Sequence, residues 1–158
     1  MKGKLILLIF ALFLPLAILS FLFSTDGGII TSHKDVSQTK RMLVGTVPIS
    51  VEIADSVVTQ TRGLSFRDSL GDNEGLLFVF AKDDTHGIWM KDMRFPIDIV
   101  WADAQGKIIH TESSVHPNTY PSVFGPQEKS RYVLELPSGF LDIHGVGAGN
   151  TLSFPLDF

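Results

Sequence analysis

The sequence predicts a mainly β domain of the α+β class, in which a strongly curved sheet or small barrel carries two short helices. Beyond residue 40, apolar and polar side chains alternate with the period of a β-strand, and the apolar runs are short. No succession of strand, long helix and strand occurs that would indicate a doubly wound sheet. The length of 158 residues is enough for one domain with a core and too short for two.

The domain is expected to begin with a half-buried strand and a short helix. Residues Ile49 to Ile53 alternate between apolar and polar side chains. Asp55 or Ser56 can cap the N-terminus of a helix that runs to Arg62. Gly63 then suits the position that ends the helix.

Three further segments predict strands, the first of them central. Leu76 to Phe80 is apolar on both faces, as in a strand that is covered on both sides. Gly87 to Lys91 and Ile97 to Ala102 follow, and Phe95-Pro96 forces an extended or turning link between them. A turn at Asp103 to Gly106 leads into a returning arm, Lys107 to Val115, which predicts a hairpin.

The last part of the chain predicts a long loop, a strand, a helix and a closing strand. His116 to Lys129 is rich in proline and is expected to be a surface loop. Arg131 to Leu136 is the next expected strand. Pro137 suits the first position of a helix that ends near His144, and Thr151 to Phe154 is expected to close the sheet.

The N-terminal segment, residues 1–24, predicts a membrane anchor. Leu5 to Phe23 is almost unbroken apolar sequence, and as a helix it would reach roughly 28 Å, close to the thickness of a bilayer core. Lys2 and Lys4 precede it, so the positive-inside rule keeps the N-terminus in the cytoplasm. We therefore expect a single-pass protein of the inner (cytoplasmic) membrane, with a periplasmic or extracellular domain. A cleaved signal peptide is the alternative, although no A-x-A-like site follows the apolar run.

The rest of the chain divides into a tether and a domain. Residues 25–40 are polar and without periodicity, which indicates a tether, and the domain is expected over residues 41–158. Apart from Lys2 and Lys4, the chain has 11 basic residues against 17 acidic ones, a formal charge of about −6. Nucleic acid is therefore not an expected partner, because its recognition requires a basic surface.

Charged side chains on otherwise apolar strand faces indicate a candidate site. Asp98 shares a strand face with Val100, and Glu135 shares one with Val133. A buried carboxylate requires a cation or several N–H donors, so these residues must find partners. The functional hypothesis is a ligand-binding pocket lined by Arg67, Trp89, Lys91, Asp98 and Glu135. The alternative is a structural ion-pair network, for which Arg94 and Arg131 are further candidate partners.

Signals for catalysis and for metal binding are weak. Asp98 and Glu135 could serve as the paired carboxyls of a polysaccharide hydrolase if they lie roughly 5 to 10 Å apart. The five histidines do not form a compact ligand set, and no nucleophile motif is present. We therefore expect no metal and no cofactor, and an activity other than catalysis is favoured.

Four blocks in order carry a family resemblance, namely RGLSFR (Arg62 to Arg67), EGLLFVF (Glu74 to Phe80), IWMKDMRFPIDIVWAD (Ile88 to Asp103) and YVLELPSG (Tyr132 to Gly139). Together they resemble DUF192 (UPF0127), a family of small, often exported prokaryotic proteins. The resemblance covers roughly Met42 to Phe158. It implies a single mainly β domain and no established activity.

The resemblance also carries individual positions over to this chain. It points to Arg62, Gly63, Leu64, Arg67, Glu74, Gly75, Trp89, Met90, Lys91, Pro96, Asp98, Glu135 and Gly139. The chain departs from the family pattern at Ser65, where Met is usual, and at Asp92, where Asn is usual. Asp92 places a further negative charge beside Lys91, so a ligand preference at this position could differ.

The leading hypothesis is a membrane-tethered binding module for a polar or anionic small molecule or envelope glycan. Arg67 and Lys91 would contact the ligand, Trp89 would pack against it, and Asp98 and Glu135 would orient the cations. A polysaccharide hydrolase is one alternative. An envelope structural or assembly protein that docks a partner through an edge strand or loop is the other.

Overall fold

The computed structural model describes residues 39–154. The anchor expected over residues 1–24 lies outside the described residues, as does the tether expected over residues 25–40 apart from its last two positions. Residues 155–158 of the expected domain are also outside this range. Within residues 39–154, no helix is long and apolar enough to cross a membrane.

The described part of the chain contains nine strands and two short α-helices. The strands are β1 (Lys40–Val44), β2 (Val47–Ala54), β3 (Glu74–Asp84), β4 (Ile88–Trp89), β5 (Ile97–Ala102), β6 (Ile108–Val115), β7 (Val123–Phe124), β8 (Ser130–Pro137) and β9 (Leu152–Ser153). The helices are α1 (Val57–Arg62) and α2 (Phe140–His144). A mainly β domain with two short helices is therefore confirmed.

Seven of these strands form one sheet in the order β6-β5-β8-β3-β2-β1-β9, and β4 and β7 form a separate ribbon. Neighbouring strands are antiparallel except β2 and β3, which run parallel. The chain crosses from β2 to β3 through α1. This connection places α1 and the residues after it on one face of the sheet.

The sheet curls so that its two outermost strands meet at one end. Lys107, just before β6, forms a bridge with Thr151, just before β9. Gly106 accepts a hydrogen bond from the backbone N–H of Leu152 (2.7 Å), and a Cβ on Gly106 would lie 2.5 Å from the Leu152 carbonyl oxygen. Glycine is therefore required at this contact. The result is a curled half-barrel, as the prediction of a strongly curved sheet requires.

Both faces of the sheet are apolar and buried. The face that we call the α2 face carries Leu77, Val100 and Leu134, and Phe140 and Leu141 of α2 pack against it. This arrangement confirms that the central strands are covered on two sides.

The opposite face, which we call the α1 face, has its own cluster. Phe78, Trp101 and Val133 project from it. Leu64, which follows α1, and Met90, which follows β4, cover these side chains. The candidate site lies within this covering layer.

The first helix begins as expected. Ser56 accepts a hydrogen bond from the Thr59 backbone N–H, and the Thr59 hydroxyl accepts one from the Ser56 N–H, which completes a capping box. Gly63 ends the helix with a positive φ of 53°, and its N–H donates to the Thr59 carbonyl.

The prediction that the second helix starts at Pro137 is wrong. Pro137 is the last residue of β8, where it pairs with Ile97 at the start of β5. A strand end tolerates proline because no further ladder hydrogen bond has to be donated there. Gly139 then turns the chain with a φ of 88°, and α2 begins at Phe140.

Three short elements were not predicted from the sequence. β1 was not expected, and the loop His116 to Lys129 contains the 3-10 turn Pro117–Thr119 and β7. β7 consists of only two residues, which is too short for a periodic pattern. It nevertheless pairs with β4 and so fixes the position of Trp89.

Candidate functional site

Asp98 is a buried structural residue on the α2 face. It pairs with Leu136 across β5 and β8, and both side chains are fully buried. Its two carboxyl oxygens accept hydrogen bonds from the backbone N–H groups of Ser114 and Leu141, each at 2.8 Å. Asp98 therefore links β5 to the end of β6 and to α2.

Glu135 lies on the opposite face. It pairs with Leu76 of β3 and Ile99 of β5, which belong to the cluster on the α1 face. The sheet therefore separates Glu135 from Asp98. These two residues do not form the paired carboxyls that the hydrolase alternative requires.

Arg67 also lies on the α1 face, where it is engaged with Glu52 of β2. The guanidinium donates to both carboxyl oxygens of Glu52, at 2.5 and 2.7 Å. This hydrogen bonding raises the pKa of Arg67, although partial burial opposes the shift. Because both of its terminal nitrogens are used, Arg67 positions the loop after α1 against β2.

The Glu135 carboxyl is buried without a hydrogen-bond partner for its Oε2 atom in the described part of the protein. Burial raises its pKa from 4.5 to about 8, although the positive charge of Arg67 opposes this shift. The carboxyl therefore carries a proton at neutral pH. A neutral carboxyl can donate one hydrogen bond and accept others.

A narrow cavity of about 70 Å³ reaches Glu135. It lies between the C-terminal end of α1, the residues that follow it, and β4. Its lining residues are Gln60, Thr61, Arg62, Gly63, Leu64, Ser65, Phe78, Gly87, Ile88, Trp89, Met93 and Glu135. This volume holds a few atoms, such as a water molecule or the head group of a ligand.

A wider groove of about 560 Å³ adjoins this cavity. We call it the α1–β4 groove, and it is lined by Val57, Val58, Thr61, Arg62, Ser65, Phe66, Trp89, Lys91 and Asp92. Thr61, Arg62, Ser65 and Trp89 line the cavity and the groove alike. The groove therefore leads from solvent towards Glu135.

The surface of the groove is largely apolar and accessible. Val57 is 80% exposed, Val58 72%, Phe66 64% and Trp89 49%. The Trp89 ring also contacts Tyr120 edge-on, with ring centroids 5.9 Å apart. Large apolar side chains gathered in one concave region are typical of a binding surface.

Two cations stand among these apolar residues. Lys91 Nζ donates to Asp92 at 2.6 Å, and this pair is solvent-exposed. Hydrogen bonding to Asp92 raises the pKa of Lys91. No ion pair of Arg62 is found within residues 39–154.

The groove is held together by an unusual backbone arrangement. Phe66 and Asp92 both adopt positive φ values, 66° and 57°. The Phe66 N–H donates to the Asp92 carbonyl at 2.9 Å, and the Ser65 hydroxyl donates to the Lys91 carbonyl at 2.8 Å. Non-glycine residues in this conformation cost about 1 kcal/mol or more and occur preferentially at functional sites.

The structure thus brings four of the five expected site residues to one face. Trp89 and Lys91 line the groove, Trp89 and Glu135 line the cavity, and Arg67 lies behind them. Asp98 is not part of this region.

Prediction from the strands missed the residues contributed by α1 and the loop after it, namely Val57, Val58 and Phe66. A signal was present in the sequence, because Val57 and Val58 open a short helix whose remaining residues are polar.

Fold and site together define a small, mainly β, half-barrel domain with an accessible apolar groove beside a buried carboxyl. Residues 39–154 match the sequence model of the DUF192 family, and this family is described as uncharacterised. The chain therefore belongs to the DUF192 family.

A relative agrees with this assignment. A UPF0127 protein of Thermococcus gammatolerans is 28% identical over 106 residues, which is 66% of this chain and 65% of that protein. The match thus spans just under two thirds of the length of this relative.

Two crystal structures share the fold. A candidate transcription regulator from Sinorhizobium meliloti 1021 has a TM-score of 0.68 and 25% identity, over 73% of this chain and 92% of that one. A protein of unknown function from Novosphingobium aromaticivorans has a TM-score of 0.66 and 22% identity, over 73% and 84%.

Proposed function

We propose that the domain is a non-enzymatic binding module, tethered to the outer side of the cytoplasmic membrane, whose ligand occupies the α1–β4 groove. The main support is the exposure of Val57, Val58, Phe66 and Trp89 within one groove. Three separate segments contribute these side chains, and hydrogen bonds of Phe66 and Ser65 fix two of the segments together. A preformed groove of this kind binds with little ordering cost.

The ligand is an anionic envelope component with an apolar face, such as a glycan that contains uronic acid. The indole of Trp89 offers a flat surface for a sugar ring. Arg62 and Lys91 supply positive charge in a chain whose formal net charge is −4. Arg62 takes the role expected of Arg67, because Arg67 already contacts Glu52.

The location on the outer side of the membrane rests on the apolar run Leu5 to Phe23 and the preceding lysines. Regulation of transcription, suggested by the name of the Sinorhizobium structure, is not carried over, because DNA binding requires basic surface. The hydrolase alternative loses its support because the sheet separates Asp98 from Glu135.

Trp89 provides a direct measurement of binding. The chain has two tryptophans, and Trp101 is fully buried while Trp89 is half exposed in the groove. The full-length chain in lipid nanodiscs would be titrated with oligosaccharides of glucuronic acid and with neutral glucose oligosaccharides of equal length. We expect the acidic series alone to change the Trp89 emission.

Variants then test the assignment of residues. We expect Arg62→Ala to weaken binding about tenfold in the Trp89 titration, the loss of one charge-assisted contact. Trp89→Ala removes the fluorophore, so its binding is measured by isothermal titration calorimetry beside the parent, where we expect a similar loss from the missing stacking contact. Arg94→Ala is the matched control, because Arg94 pairs with Asp68 and does not line the groove. The proposal fails if neither series changes the emission, or if Arg94→Ala weakens binding as much as Arg62→Ala. Crosslinked protein partners without glycan binding would favour the assembly alternative.

A further inference from the structure

The narrow cavity next to the α1–β4 groove is lined by a buried carboxyl that takes no part in the groove. Glu135 belongs to this cavity and not to the lining of the groove. Its Oε2 atom is buried and has no hydrogen-bond partner in the described part of the protein. A buried polar atom without a partner is costly and calls for an explanation.

Three neutral side chains that line the cavity already use their donors. Gln60 Nε2 donates to the carbonyls of Ala54 and Val79, at 3.2 and 3.0 Å. The hydroxyls of Thr61 and Ser65 donate to the carbonyls of Val57 and Lys91, at 2.7 and 2.8 Å. The hydrogen bonds hold these three side chains in place and leave them no N–H or O–H to donate to a ligand.

Two ionisable side chains can still donate to a group that enters the cavity. One is the guanidinium of Arg62, which lines both the cavity and the groove. The other is the O–H of Glu135, because burial holds the proton on this carboxyl, with a pKa of about 8. Both donors suit an oxygen acceptor.

The charges around the cavity exclude a cationic guest. Arg62 lies on the wall, and the positive charge of Arg67 acts on Glu135 from behind. An ammonium group would meet the positive charge of Arg62 and a carboxyl that holds its proton. A carboxylate would instead meet a bidentate cation and a proton donor.

The geometry points to the cavity as a carboxylate-binding subsite, in which Arg62 and the protonated Glu135 donate to the carboxylate of the ligand. This inference rests on the proposed function, since the ligand body would lie in the groove. It adds the chemical class of the group that enters the protein. It also gives Glu135 a direct contact with the ligand, whereas the sequence analysis expected Glu135 to orient the cationic side chains.

The test uses three probes of equal size, namely propionate, propionamide and propylammonium. The full-length chain in nanodiscs would carry glutamate labelled with 13C at Cδ. We expect propionate to shift the Glu135 resonance most strongly at pH 6.5. Its affinity should fall about tenfold by pH 9, because a carboxyl with a pKa of about 8 is then mostly ionised.

Two variants separate the donor role from a structural role. Glu135→Gln keeps a donor, so propionate binding should persist within a few fold and lose its pH dependence. Glu135→Leu has no donor and should bind propionate at least tenfold more weakly. Leucine replaces a buried carboxyl that has no partner, so this variant is expected to fold.

Several results would overturn the subsite. Propylammonium could bind better than propionate, binding could strengthen with pH, or Glu135→Leu could bind as well as the parent. An unchanged Glu135 resonance with all three probes would mean that the cavity holds only solvent. If acidic glycans change the Trp89 emission while the Glu135 resonance stays unchanged, the subsite is wrong and the groove proposal stands. If propionate binds but no glycan changes the Trp89 emission, the groove proposal is wrong and the subsite stands.

Discussion

Asp98 and Glu135 lie one position apart in the register of β5 and β8 and project from opposite faces of the sheet. Asp98 pairs with Leu136, whereas Glu135 pairs with Ile99. Asp98 receives two backbone N–H donors, and Glu135 has an oxygen without any in the described residues. Two acidic residues with similar sequence surroundings therefore have different roles, one in stability and one in the candidate site.

Asp98→Asn should destabilise the domain. An asparagine side chain offers one oxygen, so either the Ser114 or the Leu141 N–H would face an amide NH₂ group. We expect a loss of about 1–3 kcal/mol in the free energy of unfolding, measured by urea denaturation at pH 7. Asp68→Asn is the control, since the side chain of Asp68 is 86% exposed and should change stability little. Equal effects of the two substitutions would contradict the structural role of Asp98.

Glu135 should make the domain less stable as the pH rises. Its pKa is about 8 when folded and near 4.5 when unfolded, so the folded state holds more protons between these values. The free energy of unfolding should therefore fall from pH 5 to pH 8, by about 3–4 kcal/mol.

Glu135→Gln removes this titration and provides the comparison. The variant should show a flatter profile over the same range, and its advantage over the parent should grow with pH. Denaturant unfolding at intervals of one pH unit measures both profiles. A parent that gains stability relative to Glu135→Gln between pH 5 and pH 8 would show that the carboxyl is ionised in the folded state.

Short apolar runs bounded by turn residues allowed much of the fold to be predicted. Ile97–Ala102 is the strand that its pattern indicates, and Ser56 caps α1 as expected. Pro137 misled because it is compatible with a helix start and with a strand end, and only the pairing with Ile97 decides between them. β7 depends on its partner β4 and has too few residues for a local signal.

The candidate site was predicted only in part, because the sequence does not show the register in which two strands pair. Residue parity within a strand shows which side chains share a face of that strand. It cannot show which faces of two strands coincide, because a register offset of one residue reverses the answer. Glu135 was therefore identified as a buried charge, while its separation from Asp98 could not be foreseen. The groove also needs Phe66, whose loop is brought to Asp92 by a tertiary hydrogen bond.

Asp92→Asn should keep the fold and increase the binding of anions. Asparagine adopts a positive φ readily, so the backbone at this position should be unaffected. The change removes the carboxylate that holds Lys91 Nζ at 2.6 Å. We expect the melting temperature to change by less than about 2 °C, since exposed ion pairs contribute little.

Binding of the acidic oligosaccharides to Asp92→Asn should strengthen severalfold in the Trp89 fluorescence titration. Asp92→Val serves as the contrasting variant, because a β-branched residue at positive φ is strained and should lower stability by about 1–2 kcal/mol. Weaker anion binding by Asp92→Asn would indicate that Asp92 itself contacts the ligand.

Phe66→Gly should separate stability from binding. The ring of Phe66 is largely exposed, so its removal costs little burial, while glycine relieves the strain of a φ of 66°. We therefore expect stability to hold or to rise by about 0.5–1 kcal/mol, although the added freedom of the unfolded chain offsets part of this gain. Ligand affinity should fall at least fivefold, because an apolar wall of the groove is lost.

Phe66→Leu keeps an apolar side chain in the same strained backbone, and should retain most of the affinity without the gain in stability. Thermal unfolding and the Trp89 titration measure the two quantities on the same samples. If Phe66→Gly loses stability and affinity together, the ring stabilises the loop, and its exposure has no part in binding.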